Sequence, residues 1–277
     1  DFDGCGISGI AITMARPIGA VALRPHRHRR DCLRFVDVVL GSGTVPGTHP
    51  DDQIAKEVSH EPPLAPRLSL PREILSSLAP SLTLTLIRMN LAAYIDHTLL
   101  RADARKEEIL QLCTEAADHG FASVCINPYW VSLGKDILGT TPIKVSTVIG
   151  FPLGATTAET KRREALQAVI AGAGELDMVL NIGALKSNYL SDVRDDIAYV
   201  AEVVHGGGGI LKVILENCLL SDAEKEQACQ IAVEAGTDFV KTSTGFSTGG
   251  ATVEDVALMR RIVGPNIGVK ASGGIRS

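Results

Sequence analysis

Short apolar segments alternate with longer amphipathic segments along residues 89–277. The short segments are rich in β-branched residues. Their centres lie near Ile95, Val124, Val145, Val179, Val213, Val240 and Val269. Successive centres are roughly 20 to 35 residues apart, which is the spacing of a strand followed by a helix. The pattern therefore predicts an α/β fold with seven parallel strands.

The segments between these strands carry helix signals. Residues 104–119 place apolar side chains among charged ones and end at Gly120, a common helix stop. Residues 158–171 and 222–235 repeat the pattern, with Ser221 as a predicted N-cap and Gly236 as a stop. The alternation favours a TIM-type (β/α)8 barrel. A doubly wound open sheet is the alternative, but no Gly-x-Gly-x-x-Gly motif follows a first strand.

Three of the predicted strands carry charged residues suited to carbonyl chemistry. Lys241 and Lys270 each stand where an apolar strand gives way to a glycine-containing turn, and Asp177 lies inside an apolar run. A protonated lysine cannot attack a carbonyl, so a Schiff-base enzyme must lower the pKa of one ammonium by burial or by a nearby positive charge. Adjacent parallel strands lie about 4.8 Å apart, so Lys270 could supply that charge to Lys241. The alternative for each lysine is a solvated surface charge.

Seven segments resemble, in order, those of the deoxyribose-phosphate aldolase family. They are residues 94–100, 123–128, 148–154, 175–177, 211–216, 238–245 and 268–274. The resemblance implies reversible cleavage of 2-deoxy-D-ribose 5-phosphate to D-glyceraldehyde 3-phosphate and acetaldehyde, without a metal or other cofactor. It implies that Lys241 forms an imine with the substrate, while Lys270 and Asp177 perturb that lysine and move protons.

The resemblance also implies a set of substrate-binding residues. They are Thr98, Cys125, Lys212, Thr242, Thr244, Gly245, Gly273, Gly274 and Arg276. Gly273 and Gly274 follow the seventh strand, where backbone N–H groups could bind a phosphate. Phe246 stands where some family members carry a lysine that helps to hold the phosphate. For Cys125 and the threonines, ordinary packing and strand-end polarity are the competing interpretations.

The two ends of the chain depart from the family pattern. The chain stops directly after the seventh strand, so we expect an incomplete barrel with two unpaired edges and weakened activity. Residues 1–88 contain nine of the thirteen prolines and begin with Asp1, whereas Met89 directly precedes the first family segment. We therefore expect an irregular or disordered N-terminal extension at 1–88 and an aldolase barrel at 89–277.

Composition argues against several other classes of protein. The arginine-rich run at 24–34 holds His26, His28 and Cys32, but it lacks the paired spacing of a zinc site. It also lacks interleaved aromatics, and a net charge of −5 disfavours a nucleic-acid partner. The apolar stretch at 7–15 is too short to span a membrane. Six cysteines without close pairs suggest reduced thiols in the cytoplasm.

The sequence thus predicts a small phosphosugar as the ligand, with self-association as a family expectation. Two alternatives stay open. One is another lysine-dependent phosphosugar aldolase on the same barrel. The other is a non-catalytic fragment whose strand edges and arginine-rich leader act as an interaction surface.

Overall fold

The structure is a computed structural model, and it describes residues 8–14 and 91–275 of the chain. Eight strands in this part form a closed barrel. The strands are β1 (Ser8–Met14), β2 (Ile95–Leu99), β3 (Ser123–Ile126), β4 (Lys144–Ile149), β5 (Glu175–Val179), β6 (Ile210–Ile214), β7 (Phe239–Lys241) and β8 (Gly268–Ala271). The helices are α1 (Lys106–His119), α2 (Val131–Leu138), α3 (Ala158–Ile170), α4 (Ile182–Lys186), α5 (Leu190–Gly206), α6 (Asp222–Glu234) and α7 (Val253–Val263). Three short 3-10 helices occupy Leu91–Tyr94, Pro128–Trp130 and Asn217–Leu219.

Strands β2 to β8 run parallel in chain order, which confirms the predicted seven-stranded α/β barrel. Strand β1 pairs antiparallel with both β2 and β8 and so closes the barrel. The expectation of two unpaired edges is therefore not met. Without β1, the edges of β2 and β8 would present unpaired N–H and C=O groups that one further strand can pair with. A seven-residue segment of the extension, β1, occupies this position. The other residues of 1–88 and the proposed boundary at 88/89 lie outside the described residues.

The helix ends follow the signals that the sequence carries. The Ser221 side chain accepts a hydrogen bond from the backbone N–H of Glu224, whose own side chain accepts from the backbone N–H of Ser221. This capping box satisfies N–H groups that the first helical turn leaves free. Helix α1 ends at Gly120, whose φ of 67° is a conformation that glycine adopts without steric cost. The predicted cap and stop are thus confirmed.

Alternate residues of strands β2 to β8 face two different environments, as the two-residue period of a strand requires. One set packs against the helices in a large apolar core, which includes Val124, Leu176, Val213, Val240 and Val269. The other set, shifted by one residue, faces the barrel interior. On β5 to β8 this inner set includes charged side chains, so the interior is polar where the outer layer is apolar.

A close approach between β7 and β8 sets the positions of the two predicted active-site lysines. Phe239 lies opposite Gly268, and two residues further along Lys241 lies opposite Lys270. A Cβ atom built at Gly268 would come within 1.9 Å of the Phe239 ring. Glycine at position 268 therefore leaves the space that the aromatic ring fills.

We predict that Gly268→Ala lowers the free energy of unfolding by about 1–3 kcal/mol, because the added methyl group overpacks the Phe239 ring. Gly206→Ala is the matched control, since a Cβ at Gly206 meets no atom within 4 Å. It should change stability little, or raise it by up to about 1 kcal/mol. Urea unfolding measures both variants. Equal effects of the two substitutions would contradict the packing argument.

Candidate active site

Six charged side chains form a buried network inside the barrel. Each residue is at most 4 % exposed. The carboxylates are Asp96, Glu175 and Asp177, and the ammonium groups are Lys212, Lys241 and Lys270. Removing a charge from water is costly unless it is paired. Three positive and three negative groups can satisfy that requirement by balancing one another.

Asp177 stands at the centre of this network. Its Oδ2 accepts a hydrogen bond from Lys241 Nζ at 2.6 Å, and its Oδ1 accepts one from Lys212 Nζ at 2.8 Å. Burial raises the pKa of this carboxyl, but the two ammonium groups outweigh that effect and hold the pKa below its ordinary value. Asp177 is therefore ionised at neutral pH. The structure thus places two of the three predicted catalytic groups in direct contact.

Lys212 links Asp177 to the other carboxylates. Its Nζ lies 2.7 Å from Glu175 Oε2 and 3.5 Å from Asp96 Oδ2. Burial lowers the pKa of Lys212, but Asp177 and Glu175 outweigh it and raise the pKa above its ordinary value. Lys212 is therefore a fixed positive charge, and the pocket position that the sequence predicted for it lies within the charge network.

Lys270 is fully buried, and its ammonium contacts Asp96. It lies beside Lys241 on the adjacent strand, as the predicted sheet required. This carboxylate partner, Asp96, lies on β2. Contacts between charged groups therefore run from Lys241 through Asp177, Lys212 and Asp96 to Lys270.

Asp96 and Glu175 are site residues that the sequence prediction missed. A usable signal was present for each. Glu175 stands two residues before Asp177, so both carboxylates share one face of β5. Asp96 interrupts the apolar start of β2 within the first family segment. Glu175 is the first residue of β5 and Asp96 the second residue of β2, whereas the prediction placed the reactive lysines where strands give way to turns.

A small apolar cluster adjoins the charges. It consists of Leu100, Cys125, Val148 and Phe151. Cys125 is buried, and burial together with the negative charge of Asp177 raises the pKa of its thiol to about 11. Thr98, which pairs with Cys125 across the strands, is half-buried and donates its hydroxyl to the carbonyl oxygen of Asp96.

The two threonines after Lys241 hold the loop in place. The buried Thr242 hydroxyl donates to the Ser272 carbonyl oxygen at 3.0 Å and accepts from the Ser272 backbone N–H at 3.1 Å. Thr244 donates its hydroxyl to Glu216, a buried residue with a left-handed φ of 59° that the sequence prediction missed. These bonds tie the end of β7 to the ends of β8 and β6. Both threonine hydroxyls are thus engaged within the protein.

The predicted substrate-binding glycines, which include the proposed phosphate site at Gly273 and Gly274, lie at the same end of the barrel. Gly245, Gly273 and Gly274 have φ angles of 82°, 81° and 77°. A Cβ at Gly250 would come within 2.3 Å of the Gly273 carbonyl oxygen, so the two loops meet through bare backbone. Gly274 is exposed, with open space where a Cβ would stand. The predicted Arg276 lies outside the described residues.

The departure at Phe246 places an aromatic ring at the rim of this end of the barrel. The Phe246 ring meets the Phe151 ring edge to face, with centroids 5.2 Å apart. Phe246 is exposed, whereas Phe151 is half-buried against the apolar cluster. The rim thus presents an apolar side chain at the position where some family members carry a lysine.

Two kinds of feature are absent from the part of the chain that the structure describes. No group of three or more His, Cys, Asp or Glu side chains in residues 8–14 and 91–275 could hold a metal ion. No helix in that part of the chain is long and apolar enough to cross a membrane.

We predict that thiol alkylation at pH 8 distinguishes two of the cysteines. Cys218 is exposed, whereas Cys125 is buried and its raised pKa of about 11 keeps the thiolate scarce. Peptide mapping after brief iodoacetamide treatment should find Cys218 modified and Cys125 intact. Unfolding in urea should make both react. Rapid modification of Cys125 in the folded protein would contradict this assignment.

Comparisons with known proteins agree with this geometry. The family described as DeoC/LacD family aldolase matches residues 90–277. A deoxyribose-phosphate aldolase from Brevibacillus brevis is 61 % identical over 188 residues, covering 68 % of this chain and 84 % of the relative. One from Caldanaerobacter subterraneus is 61 % identical over 190 residues, covering 68 % and 82 %.

Two solved structures share the fold. A tetrameric deoxyribose phosphate aldolase from Aeropyrum pernix is 36 % identical with a TM-score of 0.61, covering 66 % of this chain and 76 % of that one. An aldolase called QR15 is 39 % identical with a TM-score of 0.64, covering 67 % and 82 %. By its sequence and by its barrel, this chain belongs to the DeoC/LacD family of aldolases.

Proposed function

We propose that the chain is a Schiff-base aldolase that cleaves 2-deoxy-D-ribose 5-phosphate reversibly to D-glyceraldehyde 3-phosphate and acetaldehyde. The observation that carries the proposal is the buried 2.6 Å contact between Lys241 Nζ and Asp177 Oδ2. It joins an amine to a proton acceptor in a site that excludes bulk water. The relatives named deoxyribose-phosphate aldolase supply the choice of substrate.

Lys241 is the nucleophile in this proposal. Its neutral amine adds to the C1 aldehyde of the open-chain sugar, and loss of water gives a protonated imine. Asp177 is in position to take the ammonium proton first. Lys212 and Lys270 lie on the two neighbouring strands, one on each side of the strand that carries Lys241.

Carbon–carbon cleavage then uses the imine as an electron sink. A base removes the proton of the C3 hydroxyl, the C2–C3 bond breaks, and its electron pair moves towards the iminium nitrogen. C3 becomes the aldehyde carbon of glyceraldehyde 3-phosphate, and C1 and C2 remain on Lys241 as an enamine. Protonation at C2 and hydrolysis release acetaldehyde and regenerate the amine. We propose that Asp177 carries out these proton transfers through a water molecule.

The phosphate group would bind at the end of β8. The glycine pair Gly273–Gly274 offers exposed backbone beyond Lys270, and barrels commonly bind phosphate in this corner. Phe246 contributes no charge there, so the backbone N–H groups of the glycine pair and the predicted Arg276 would carry the recognition.

We propose two further properties with this function. The Aeropyrum pernix relative is tetrameric, which supports self-association of this chain as well. The four cysteines in the described region are free thiols, which supports a cytoplasmic location.

We predict that acetaldehyde with borohydride adds one ethyl group to Lys241. Reduction converts the imine to a stable secondary amine, which intact mass and peptide mapping detect. Lys241→Met should abolish this adduct and lower turnover by at least about a thousandfold, as loss of a covalent nucleophile does. Lys225→Met is the matched control, because Lys225 lies on α6 and pairs with Asp255 away from the barrel interior.

The same experiment separates the alternatives. An adduct at Lys241 with acetaldehyde but no cleavage of 2-deoxyribose 5-phosphate would indicate another lysine-dependent aldolase. Absence of any adduct would contradict the Schiff-base proposal and favour a non-catalytic role.

We predict that Asp177→Asn lowers turnover by about 10²–10⁴-fold, the usual contribution of a general acid or base. It should also destabilise the fold at neutral pH, because Lys241 loses its carboxylate partner and Lys212 loses one of three. Because the folded-state pKa of Asp177 is lowered, its stabilisation is present above the unfolded carboxyl pKa of about 3.9 and is lost as the pH falls through the folded value.

Urea unfolding at several pH values checks the stability part of this prediction. The gap between wild type and Asp177→Asn should be largest near neutral pH and should shrink in acid. Asp192→Asn, at an exposed position on α5, should leave turnover and stability unchanged. A pH-independent gap would refute the ion-pair assignment.

A further inference from the structure

A second buried ion pair lies outside the barrel, between helices α3 and α5. Lys161 Nζ is 2.5 Å from Asp196 Oδ2, and both residues are buried. Burial lowers the pKa of Lys161 and raises that of Asp196, so water would accommodate both charges more readily than this site does. A buried ion pair adds little net stability compared with apolar side chains of the same size. Its position therefore needs a different explanation.

The Lys161 ammonium also binds the end of the strand that carries Asp177. Its Nζ donates to the Val179 carbonyl oxygen at 3.0 Å. The ladder between β4 and β5 ends at the pair Ile149–Met178, so Val179 lies one residue beyond it. Lys161 thus supplies a hydrogen bond to β5 just past the point where β4 stops.

The same helix holds the turn that follows β4. Glu164 Oε2 accepts a hydrogen bond from the Gly150 backbone N–H at 2.7 Å. A Cβ atom at Gly150 would come within 2.8 Å of Lys161 Cε, so the lysine stem lies directly against this turn. At the other end of the turn, a Cβ at Gly154 would meet the Leu180 carbonyl oxygen at 2.0 Å. The turn is therefore held between α3 and the end of β5.

Both the end of β5 and the turn after β4 are connected to the active site. Asp177 lies two residues before Val179 on the same strand. Phe151, in the turn, packs with Cys125 and Val148 in the apolar cluster beside the charge network. A displacement of Lys161 would thus move the proton acceptor and the apolar wall together.

Resting on the proposed aldolase function, we propose that Lys161 and Asp196 are positioning residues for catalysis. Asp196 holds the Lys161 ammonium in place. Lys161 in turn fixes the end of β5, and with it Asp177, against the turn at residues 150–154. Neither residue touches the reacting atoms.

The test replaces the pair with apolar side chains of similar size, Lys161→Met with Asp196→Leu. This double variant removes both charges at once, so it should fold with near wild-type stability, but it lacks the bond to Val179. We expect kcat to fall between about tenfold and about a hundredfold, because small misplacements of catalytic groups have effects of this size. KM should change much less.

The matched control is Lys225→Met with Asp255→Leu. That pair joins α6 to α7 through a 2.7 Å contact, with both side chains largely buried. The control should leave kcat unchanged. A double variant at 161 and 196 that folds and retains wild-type kcat would overturn the proposal.

Hydrogen exchange gives a readout that does not depend on activity. The Gly154 and Leu180 amides bond to the carbonyl oxygens of Gly150 and Ile214. Both amides should exchange faster in the 161/196 variant than in the wild type. Their exchange rates should be unchanged in the control. Unaltered exchange would overturn the proposal, whether or not kcat falls. If the wild type cleaves no deoxyribose phosphate, the proposed function fails, and exchange at these two amides still decides whether Lys161 positions β5.

Discussion

The carboxylate of Asp177, shared between the ammonium groups of Lys241 and Lys212, is the interaction on which the rest of the site depends. An unpaired charge at this depth costs several kcal/mol, so each of the six buried ionic groups constrains the others. The alternation of side chains along the strands directs these groups inward and the apolar residues outward to the helices. One sheet thus supplies both the stabilising core and the reactive interior.

Polar contacts at the strand ends fix this arrangement. Thr242 and Ser272 join the ends of β7 and β8, and the contact of Thr244 with Glu216 adds the end of β6. Lys161 supplies the corresponding bond for β5. Strands β5 to β8 each carry a member of the charge network. Each of these four strands therefore has its carboxyl end held by hydrogen bonds. Such support would keep the proposed catalytic groups within the narrow geometry that covalent catalysis requires.

Much of this architecture could be predicted from the sequence, because its signals are local. Apolar runs at regular intervals indicated seven parallel strands, and Ser221 and Gly120 marked helix ends correctly. Strand β1 could not be predicted in this way. Its pairing depends on the free edges of β2 and β8, which only the folded barrel brings together.

In the site, too, the local sequence predicts some features, whereas others depend on tertiary contacts. The strand positions of Lys241, Lys270 and Asp177 followed from sequence, and the structure brings them into one network. The partner of Lys270 did not follow, because Asp96 lies on the far side of β1 in the strand order. The contacts of the Thr242 and Thr244 hydroxyls with Ser272 and Glu216 are tertiary and could not be predicted locally, and the substrate role of both threonines stays a prediction.

A crystal structure of the protein soaked with 2-deoxyribose 5-phosphate is the most direct test of the central claim. We predict continuous electron density from Lys241 Nζ to C1 of the sugar, with Asp177 within hydrogen-bond distance of the bound intermediate. Covalent density on Lys212 or Lys270, or a sugar bound outside the barrel with Lys241 still paired only to Asp177, would contradict the account.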